Sequence, residues 1–291
     1  MNTPRARAVL LIAFSVVYWA STLFIAHARL LWNDELFTLY ISKLPTFSAV
    51  WGALSTGAEQ TPPLFYVITR AFLSVFGMSS IALRLPETIG YWVMSLCVFF
   101  VVARRSGNLH AFVAMLFPLV TSAYFYAYEA RPYGLLLGFA GLSLLAWQHL
   151  AENDRRRVWL VVLALSLAAS VAVHYYGIFT VVPLAVGELT RSITRRRVDV
   201  VVWVAFAFSV LPLAFVLPLI RAGMSHAGVF WSPALWNSIP EFYRSVLSPS
   251  AAVVTGTIAG TALVLGFRWS SGAESRHDAP QYEVAAALAF V

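Results

Sequence analysis

Long apolar runs alternate with short polar segments along almost the whole chain. Because a helix needs about 20 apolar residues to cross the roughly 30 Å hydrocarbon layer of a membrane, each long run predicts a membrane-spanning helix. The predicted spans are residues 8–28, 82–103, 109–127, 132–150, 158–174, 177–189, 199–220 and 251–267. A last apolar run, from Tyr282 to Val291, has ten residues and is too short to cross. We therefore expect one transmembrane domain over residues 1–291, with about eight spans plus an incomplete last one, in a chain shortened at its C-terminus.

The basic residues predict the orientation of these spans. Loops on the same side as the N-terminus hold thirteen of the twenty lysines and arginines: Arg5, Arg7, Arg104, Arg105, Arg155, Arg156, Arg157, Arg191, Arg195, Arg196, Arg197, Arg268 and Arg276. Loops rich in arginine and lysine face the cytoplasm. The N-terminus is therefore predicted to be cytoplasmic, and the segment after the first span is predicted to lie outside.

Composition agrees with a membrane protein. Sixty percent of the 291 residues are hydrophobic and 11% are charged, which a water-soluble core of this length does not require. The formal net charge of +7 would also suit a nucleic-acid binder, but the placement of the arginines beside an anionic membrane surface accounts for it better, so no nucleic-acid partner is expected. The single cysteine, Cys97, excludes an intramolecular disulfide and a CxxC metal site. The predicted class is an all-α integral membrane protein.

Two predicted outer segments are too apolar for solvated loops. The first, residues 29–81, contains LFTLYISKL and PLFYVITRAFLSVFG, which both read as amphipathic helices on the membrane surface. The second, residues 221–250, combines aromatic residues and prolines and is typical of an interfacial lid. We expect these segments to roof a cavity.

The two predicted spans between residues 158 and 189 are together too short for two full crossings of the membrane. Their 32 residues make about 48 Å of helix, whereas two full crossings need about 60 Å. We therefore expect the turn at His174, Tyr175, Tyr176 and Gly177 to lie below the outer surface and to line a cavity that opens outward. The alternative is that residues 188–191 are drawn into the membrane edge and extend the helix.

Two adjacent carboxylates, Asp34 and Glu35, follow the first predicted span in the stretch LWNDELFTL. Neighbouring side chains point in different directions on a regular backbone. One carboxylate can therefore face a reacting hydroxyl while the other orients a neighbouring group or a divalent metal ion. The alternative is a solvated acidic turn that caps the next helix.

The segment EARPY places Glu129, Arg131 and Tyr133 at the predicted outer end of the fourth span. Pro132 fits the first turn of that helix, which leaves Glu129 and Arg131 just outside it and facing the side of Asp34. An arginine fork is suited to holding a phosphate bidentately. The alternatives are an internal salt bridge between Glu129 and Arg131, or an arginine that simply extends its charge to the membrane surface.

Further candidate positions are Gln60 in QTPPL, Arg84 in LRLPE, and His174 with Tyr175 in HYYG. Their alternatives are an ordinary turn, a lipid anchor and a structural histidine. No histidines have metal-ligand spacing, and no Walker loop, Rossmann glycine pattern, nucleophile elbow or HExxH motif occurs. The residues therefore identify no cofactor. A divalent metal ion stays open as an alternative.

Taken in order, these motifs carry a resemblance. The segments WNDE, QTPPLFY, SSIALRLPE, YAYEARPYGLLL, HYYG and FWSPALW together resemble the bacterial GT-C glycosyltransferases, and within them the protein O-mannosyltransferases and lipid A aminoarabinose transferases. The resemblance runs from the first span to about Ser250. It implies a GT-C-type bundle of membrane-spanning helices with surface helices in the first outer loop.

The resemblance also implies an activity. Such enzymes take a sugar from a polyprenyl-phosphate carrier and pass it to a lipid, glycan or protein acceptor outside the bacterial cytoplasmic (inner) membrane. Asp34 would be the general base, Glu35 would assist the placement of acceptor or metal, and Arg131 and Arg84 would neutralise the lipid phosphate. This chemistry needs no ATP, because a sugar on phosphate already carries a good leaving group.

Two other classes of protein stay open from the sequence. A transporter or flippase of an anionic or lipid-linked substrate would have ionisable residues in the middle of its spans and inverted repeats, whereas most charges here lie at the predicted span ends. A non-catalytic assembly subunit is the second alternative. The sequence leaves the sugar, the acceptor and the oligomeric state undetermined.

Overall fold

The fold is described from a computed structural model, over residues 3–57, 59–152, 155–225, 236, 238–247 and 279–289. This part of the chain consists of α-helices joined by turns and short 3₁₀ segments. The helices are α1 (Pro4–Ala28), α2 (Asn33–Ser42), α3 (Phe47–Ser55), α4 (Pro63–Phe76), α5 (Ser80–Ala103), α6 (Asn108–Leu116), α7 (Tyr133–Ala151), α8 (Arg156–Val173), α9 (Val181–Arg195), α10 (Val200–Phe208), α11 (Leu211–Met224), α12 (Ser238–Leu247) and α13 (Gln281–Ala289).

Five helical stretches in the described residues are long and apolar enough to cross a membrane. They are α1, α5, α7, α8 and the nearly continuous pair α10 and α11 over Val200–Met224. The prediction of an all-α multi-pass membrane protein is confirmed. The predicted span over residues 251–267 lies outside the described residues, as do residues 226–235, 237 and 248–250 of the predicted lid.

Two predicted spans differ from the structure in detail. Residues 109–127 form α6 and then two 3₁₀ segments, Phe117–Val120 and Ser122–Ala127. Pro118 explains the change, because proline lacks the N–H that the α-helical ladder needs. The predicted span 177–189 starts instead as the 3₁₀ segment Tyr175–Thr180 and runs on as α9 to Arg195. Glu188 and Arg191 lie within α9, and both side chains are buried in the protein.

Local signals set where several helices begin. The hydroxyls of Thr3 and Ser79 accept hydrogen bonds from the backbone N–H three residues ahead and so cap α1 and α5. Thr46 does the same for α3, the one helix of the first outer segment that the hydrophobic pattern did not predict. The two predicted surface helices correspond to α2 and α4.

The helices α5 and α7 approach each other closely because glycines face each other at their contact. A β-carbon added to Gly138 would stand 2.5 Å from the carbonyl oxygen of Gly90, and one on Gly134 would stand 2.6 Å from that of Glu87. Small residues spaced four apart commonly allow membrane helices to touch along their backbones. Glu87 reinforces the contact by accepting a 2.8 Å hydrogen bond from the N–H of Leu135, in the first turn of α7.

Tyrosine hydroxyls join the helix α1 to α5 and to the 3₁₀ segment Ser122–Ala127. The hydroxyl of Tyr18 donates a 2.8 Å hydrogen bond to the carbonyl of Thr88. Thr22, one turn further along α1, bonds the hydroxyl of Tyr124 at 2.7 Å. These contacts hold the end of α1, and therefore the start of α2, beside the segment that precedes α7.

Candidate functional site

The acidic pair after α1 is split between two environments. The side chain of Asp34 is 40% exposed, whereas Glu35 is completely buried. Both lie in the first turn of α2, and the helical turn directs one outward and the other inward. Only Asp34 is therefore open to a substrate.

Glu35 ties α2 to two other parts of the chain. Its two carboxylate oxygens accept 2.7 Å and 2.6 Å hydrogen bonds from Nε and Nη2 of Arg84, in α5. Its Oε1 also accepts a 2.8 Å bond from the N–H of Ala130. The predicted role of Glu35 in placing the acceptor or a metal does not fit this geometry, because its carboxylate is sealed inside the protein. Glu35 instead joins α2 to α5 and to the segment before Arg131.

Arg84 is also occupied within the protein. A guanidinium group has five N–H donors, and all five here meet an acceptor. Besides the two bonds to Glu35, Nη1 donates to the carbonyls of Ala26 (2.6 Å) and Arg29 (2.8 Å), and Nη2 donates to that of Leu30 (3.1 Å). Ala26 lies in the last turn of α1, and Arg29 and Leu30 directly follow the helix, where a cation is favoured by the helix dipole. The prediction that Arg84 binds the substrate phosphate is corrected accordingly, since no donor is left for it.

Arg131 has a different environment, close to the exposed acid. Its Nε lies 3.9 Å from Oδ2 of Asp34, and its Nη1 and Nη2 donate to the carboxylate of Glu59 at 3.1 and 3.4 Å. Within the described residues, three of its five N–H groups have no hydrogen bond. The acidic partners of Arg131 are thus Asp34 and Glu59, and not Glu129 as in the alternative considered for this segment.

Glu59 is a site residue that sequence reasoning missed. One of its oxygens accepts 2.8 and 3.1 Å bonds from the hydroxyl of Thr61 and the N–H of Gln60. This turn aims the carboxylate at Arg131. The sequence feature that could have indicated Glu59 is its position directly before the QTPP motif. Gln60 itself packs its side chain against Gly223 of α11, where an added β-carbon would lie 3.4 Å from its Cγ.

The segment that carries Arg131 is held by α2. The hydroxyl of Thr38 donates a 2.8 Å bond to the carbonyl of Ala130, whose N–H is already bound to Glu35. Both backbone groups of the residue before Arg131 are therefore fixed to the same helix that carries Asp34. This is how Asp34 and Arg131, far apart in the sequence, are brought together.

Aromatic residues form the wall beside Arg131. The ring of His174 lies 5.1 Å from that of Tyr133, and its Nδ1 accepts a 3.1 Å bond from the N–H of Tyr176. Burial and then the positive charge of Arg131 lower the pKa of His174 to about 4, so the imidazole is neutral near pH 7. Burial and then the negative charge of Glu59 raise the pKa of Tyr175 to about 12.

Glu129 is buried near this group without a full set of partners. It is 2% exposed, and its Oε1 has no hydrogen-bond partner among the described residues. Burial and then the negative charge of Glu35 raise its pKa to about 7. Glu129 can therefore exchange a proton near neutral pH. Within the described ranges, no three histidine, cysteine or acidic side chains group as metal ligands.

One comparison with known proteins identifies the family. The family model described as dolichyl-phosphate-mannose-protein mannosyltransferase matches residues 60–221, a little over half of the chain. The chain belongs to this family. No curated protein and no solved structure matches it.

Membership of the mannosyltransferase family makes this chain a membrane glycosyltransferase of the GT-C type. The predicted enzyme class is thus confirmed at that level, and the transporter alternative is not favoured. Among the candidate residues, Gln60, Arg84, Glu129, Arg131, Tyr133, His174 and Tyr175 lie within the matched segment, whereas Asp34, Glu35 and Glu59 precede it.

Proposed function

We propose that this protein transfers a sugar from a polyprenyl-phosphate-linked donor to a hydroxyl of a lipid, glycan or protein acceptor, on the outer side of the membrane. Asp34 is the general base and Arg131 the cation that holds the donor phosphate. The observation that carries the proposal is the 3.9 Å approach of Arg131 Nε to the exposed carboxylate of Asp34. Family membership supports the class of donor.

Asp34 suits the role of the base because of its exposure. A general base has to reach the hydroxyl whose proton it takes. Glu35 and Glu87 are both fully buried and Glu129 is 2% exposed, whereas 40% of the Asp34 side chain is open. Asp34 is therefore the acid of this group that an acceptor can reach.

Arg131 suits the phosphate because it keeps free donors. Arg84 has all five N–H groups bound within the protein, whereas Arg131 has three without a hydrogen bond in the described part of the chain. A bidentate arginine contact is a common way to bind phosphate. Glu59 holds the guanidinium in place and balances its charge before the donor binds.

The proposed step is a single displacement. The acceptor oxygen attacks the anomeric carbon of the sugar while its proton passes to Asp34. The bond between that carbon and the phosphate oxygen breaks, and the electron pair leaves with the polyprenyl monophosphate. Arg131 stabilises the negative charge that grows on the phosphate. A single displacement inverts the configuration of the anomeric carbon. A product in which NMR shows the configuration of the donor retained would contradict this mechanism.

The test uses the full chain in proteoliposomes with a polyprenyl-phosphate sugar. Asp34→Asn should reduce the rate of transfer by about 10²-fold or more, the range typical for loss of a general base. Glu152→Gln is the matched control, because Glu152 is a partly exposed acid paired with Arg104 and Arg105, away from Asp34. Equal rates for the wild type and Asp34→Asn would refute the assignment of the base.

A further inference from the structure

A polar cavity lies at the other end of the helices from Asp34. It has a volume of about 650 Å³ and is lined by four arginines, Arg156, Arg191, Arg195 and Arg197, together with Asp199. Arg156 begins α8 and His174 follows its end, so the length of α8 separates this cavity from the proposed active site by about 26 Å. The two sites are therefore distinct.

Carboxylates hold two of the arginines of this cavity in place. Arg191 is 4% exposed and donates to both oxygens of Glu188, at 2.8 and 2.6 Å, and to Asp199 at 3.0 Å. Arg156 donates to the other oxygen of Asp199 at 2.5 Å. Paired guanidinium groups of this kind are fixed in position, unlike arginines that only extend into solvent.

The remaining two arginines provide the unbalanced charge. Arg195 uses Nη2 to bond the carbonyl of Ala151 at 2.8 Å and is otherwise exposed. Arg197 has no hydrogen bond or ion pair from its side chain within the described residues. Four guanidinium groups against the carboxylates of Glu188 and Asp199 leave an excess of two positive charges, which favours an anionic ligand.

Apolar residues complete the wall of the cavity. Val198, Val200 and Val201 line it and are about half exposed or more. A free anion gains nothing from valines, whereas a lipid presents a charged headgroup and an apolar chain side by side. Arg195 and Arg197 lie where α9 ends, and Val200 begins the next membrane-spanning stretch, Val200–Met224. This junction between two helices is therefore expected at the level of the lipid headgroups.

We propose that this cavity binds the phosphate of an anionic phospholipid, with Arg195 and Arg197 as its headgroup ligands. The chemistry that it recognises is a phosphate group, and the neighbouring valines select a lipid-borne one. The volume lies in the range of small-molecule sites in proteins, about 300–1,000 Å³. The inference is independent of the proposed transfer reaction.

The test uses the full chain in vesicles of phosphatidylcholine, with or without a minor fraction of phosphatidylglycerol. Bound lipid is measured by native mass spectrometry after extraction, and thermal stability is measured in the vesicles. The double variant Arg195→Gln/Arg197→Gln should bind phosphatidylglycerol about tenfold more weakly, as expected for loss of one charge-assisted hydrogen bond or more. Its melting temperature in pure phosphatidylcholine should fall only slightly, through the loss of the Arg195 bond to the carbonyl of Ala151.

Arg157→Gln is the matched control. Arg157 is an exposed arginine at the same end of α8, but it does not line the cavity. It should keep the wild-type affinity. If Arg157→Gln weakens binding as much as the double variant does, the effect is one of general surface charge. If neither variant weakens binding, these arginines do not hold the headgroup and the proposal is wrong.

Inorganic phosphate added to the phosphatidylcholine vesicles tests the source of the ligand. Stabilisation by phosphatidylglycerol alone supports the lipid. Equal stabilisation by inorganic phosphate, lost in the double variant, would overturn the assignment to a lipid.

Discussion

The Nε atom of Arg131 lies 3.9 Å from Oδ2 of Asp34, close enough for the charges to attract but too far for a hydrogen bond. The contact is loose because Glu59 takes the other end of the guanidinium at 3.1 Å. A base and a phosphate ligand bound tightly to each other would block both roles. This spacing leaves the carboxylate free to receive a proton and the guanidinium free to receive an anion.

The first prediction concerns the cation of the proposed site. Arg131→Gln should lower the rate of transfer by about 10²–10³-fold, the usual cost of removing a donor that stabilises charge in the transition state. Arg131→Lys should lose less, because it keeps the charge without the fork. The measurement is the initial rate with a polyprenyl-phosphate sugar. Lys43→Gln removes an exposed positive charge at the end of α2 and should leave the rate unchanged.

The second prediction separates the two neighbouring acids by stability. Glu35→Gln should destabilise the fold by about 3–5 kcal/mol, because it leaves the buried guanidinium of Arg84 without its counter-charge. Asp34→Asn should change stability by less than about 0.5 kcal/mol, as an exposed substitution usually does. Thermal melting in detergent compares the two.

A double variant tests the reason for this difference. Glu35→Leu/Arg84→Met removes both charges and should melt at a higher temperature than Glu35→Gln alone. If the double variant melts at the same temperature as the single one, the loss does not come from an unpaired buried charge.

The third prediction concerns Glu129 and pH. Its pKa is raised in the folded protein, from 4.5 to about 7, first by burial and then by the charge of Glu35. A carboxyl group with a raised folded pKa stabilises the fold fully below its unfolded pKa, and this contribution is lost as the pH rises through the folded pKa. The wild type should therefore lose stability between about pH 5 and about pH 8 relative to Glu129→Gln.

Melting temperatures of both proteins across that pH range give the measurement. The free energy of unfolding of the wild type, relative to that of Glu129→Gln, should fall with pH at the slope expected when unfolding releases one proton. A difference that stays constant with pH would show that Glu129 does not titrate in this range.

The fourth prediction tests the contact between α5 and α7. Gly138→Ala should be strongly destabilising, because its β-carbon would stand 2.5 Å from the backbone oxygen of Gly90 and the two helices would have to separate. Gly52→Ala is the control, since nothing lies within 4 Å of its added β-carbon. In the helix α3 this control should be neutral or stabilising by about 0.5–1 kcal/mol. Similar melting temperatures for the two variants would contradict the close packing.

The pattern of apolar residues predicted the long helices well and the broken ones poorly. Length and hydropathy are sufficient for α1, α5 and α8, because a helix in lipid has to satisfy its own backbone. They fail after α6, where Pro118 and the following aromatic residues form 3₁₀ turns, and at α9, where Glu188 and Arg191 are buried as a pair. On a hydropathy scale a charged residue marks the end of a span. A charged residue that is paired inside the protein can lie within a helix without ending it.

Within the candidate site, the sequence indicated the residues but not their partners. Asp34 and Arg131 were both predicted, and the structure brings them together. The family resemblance assigned Arg84 to the phosphate, whereas its position near the predicted headgroup level suggested a lipid anchor. Its actual partner, Glu35, could not be inferred, since the pairing depends on which faces of α2 and α5 meet. Glu59 was missed for the same reason.

The amino-acid sequence alone determined that this is a helical membrane protein and that an acidic pair follows its first span, because both depend on local composition and spacing. Only the tertiary structure decided that Glu35 is sealed against Arg84 while Asp34 stays open beside Arg131. The reason is that the burial of a charge is decided by contacts between helices far apart in the sequence, which set whether its hydrogen bonds are met inside the protein or left for a substrate.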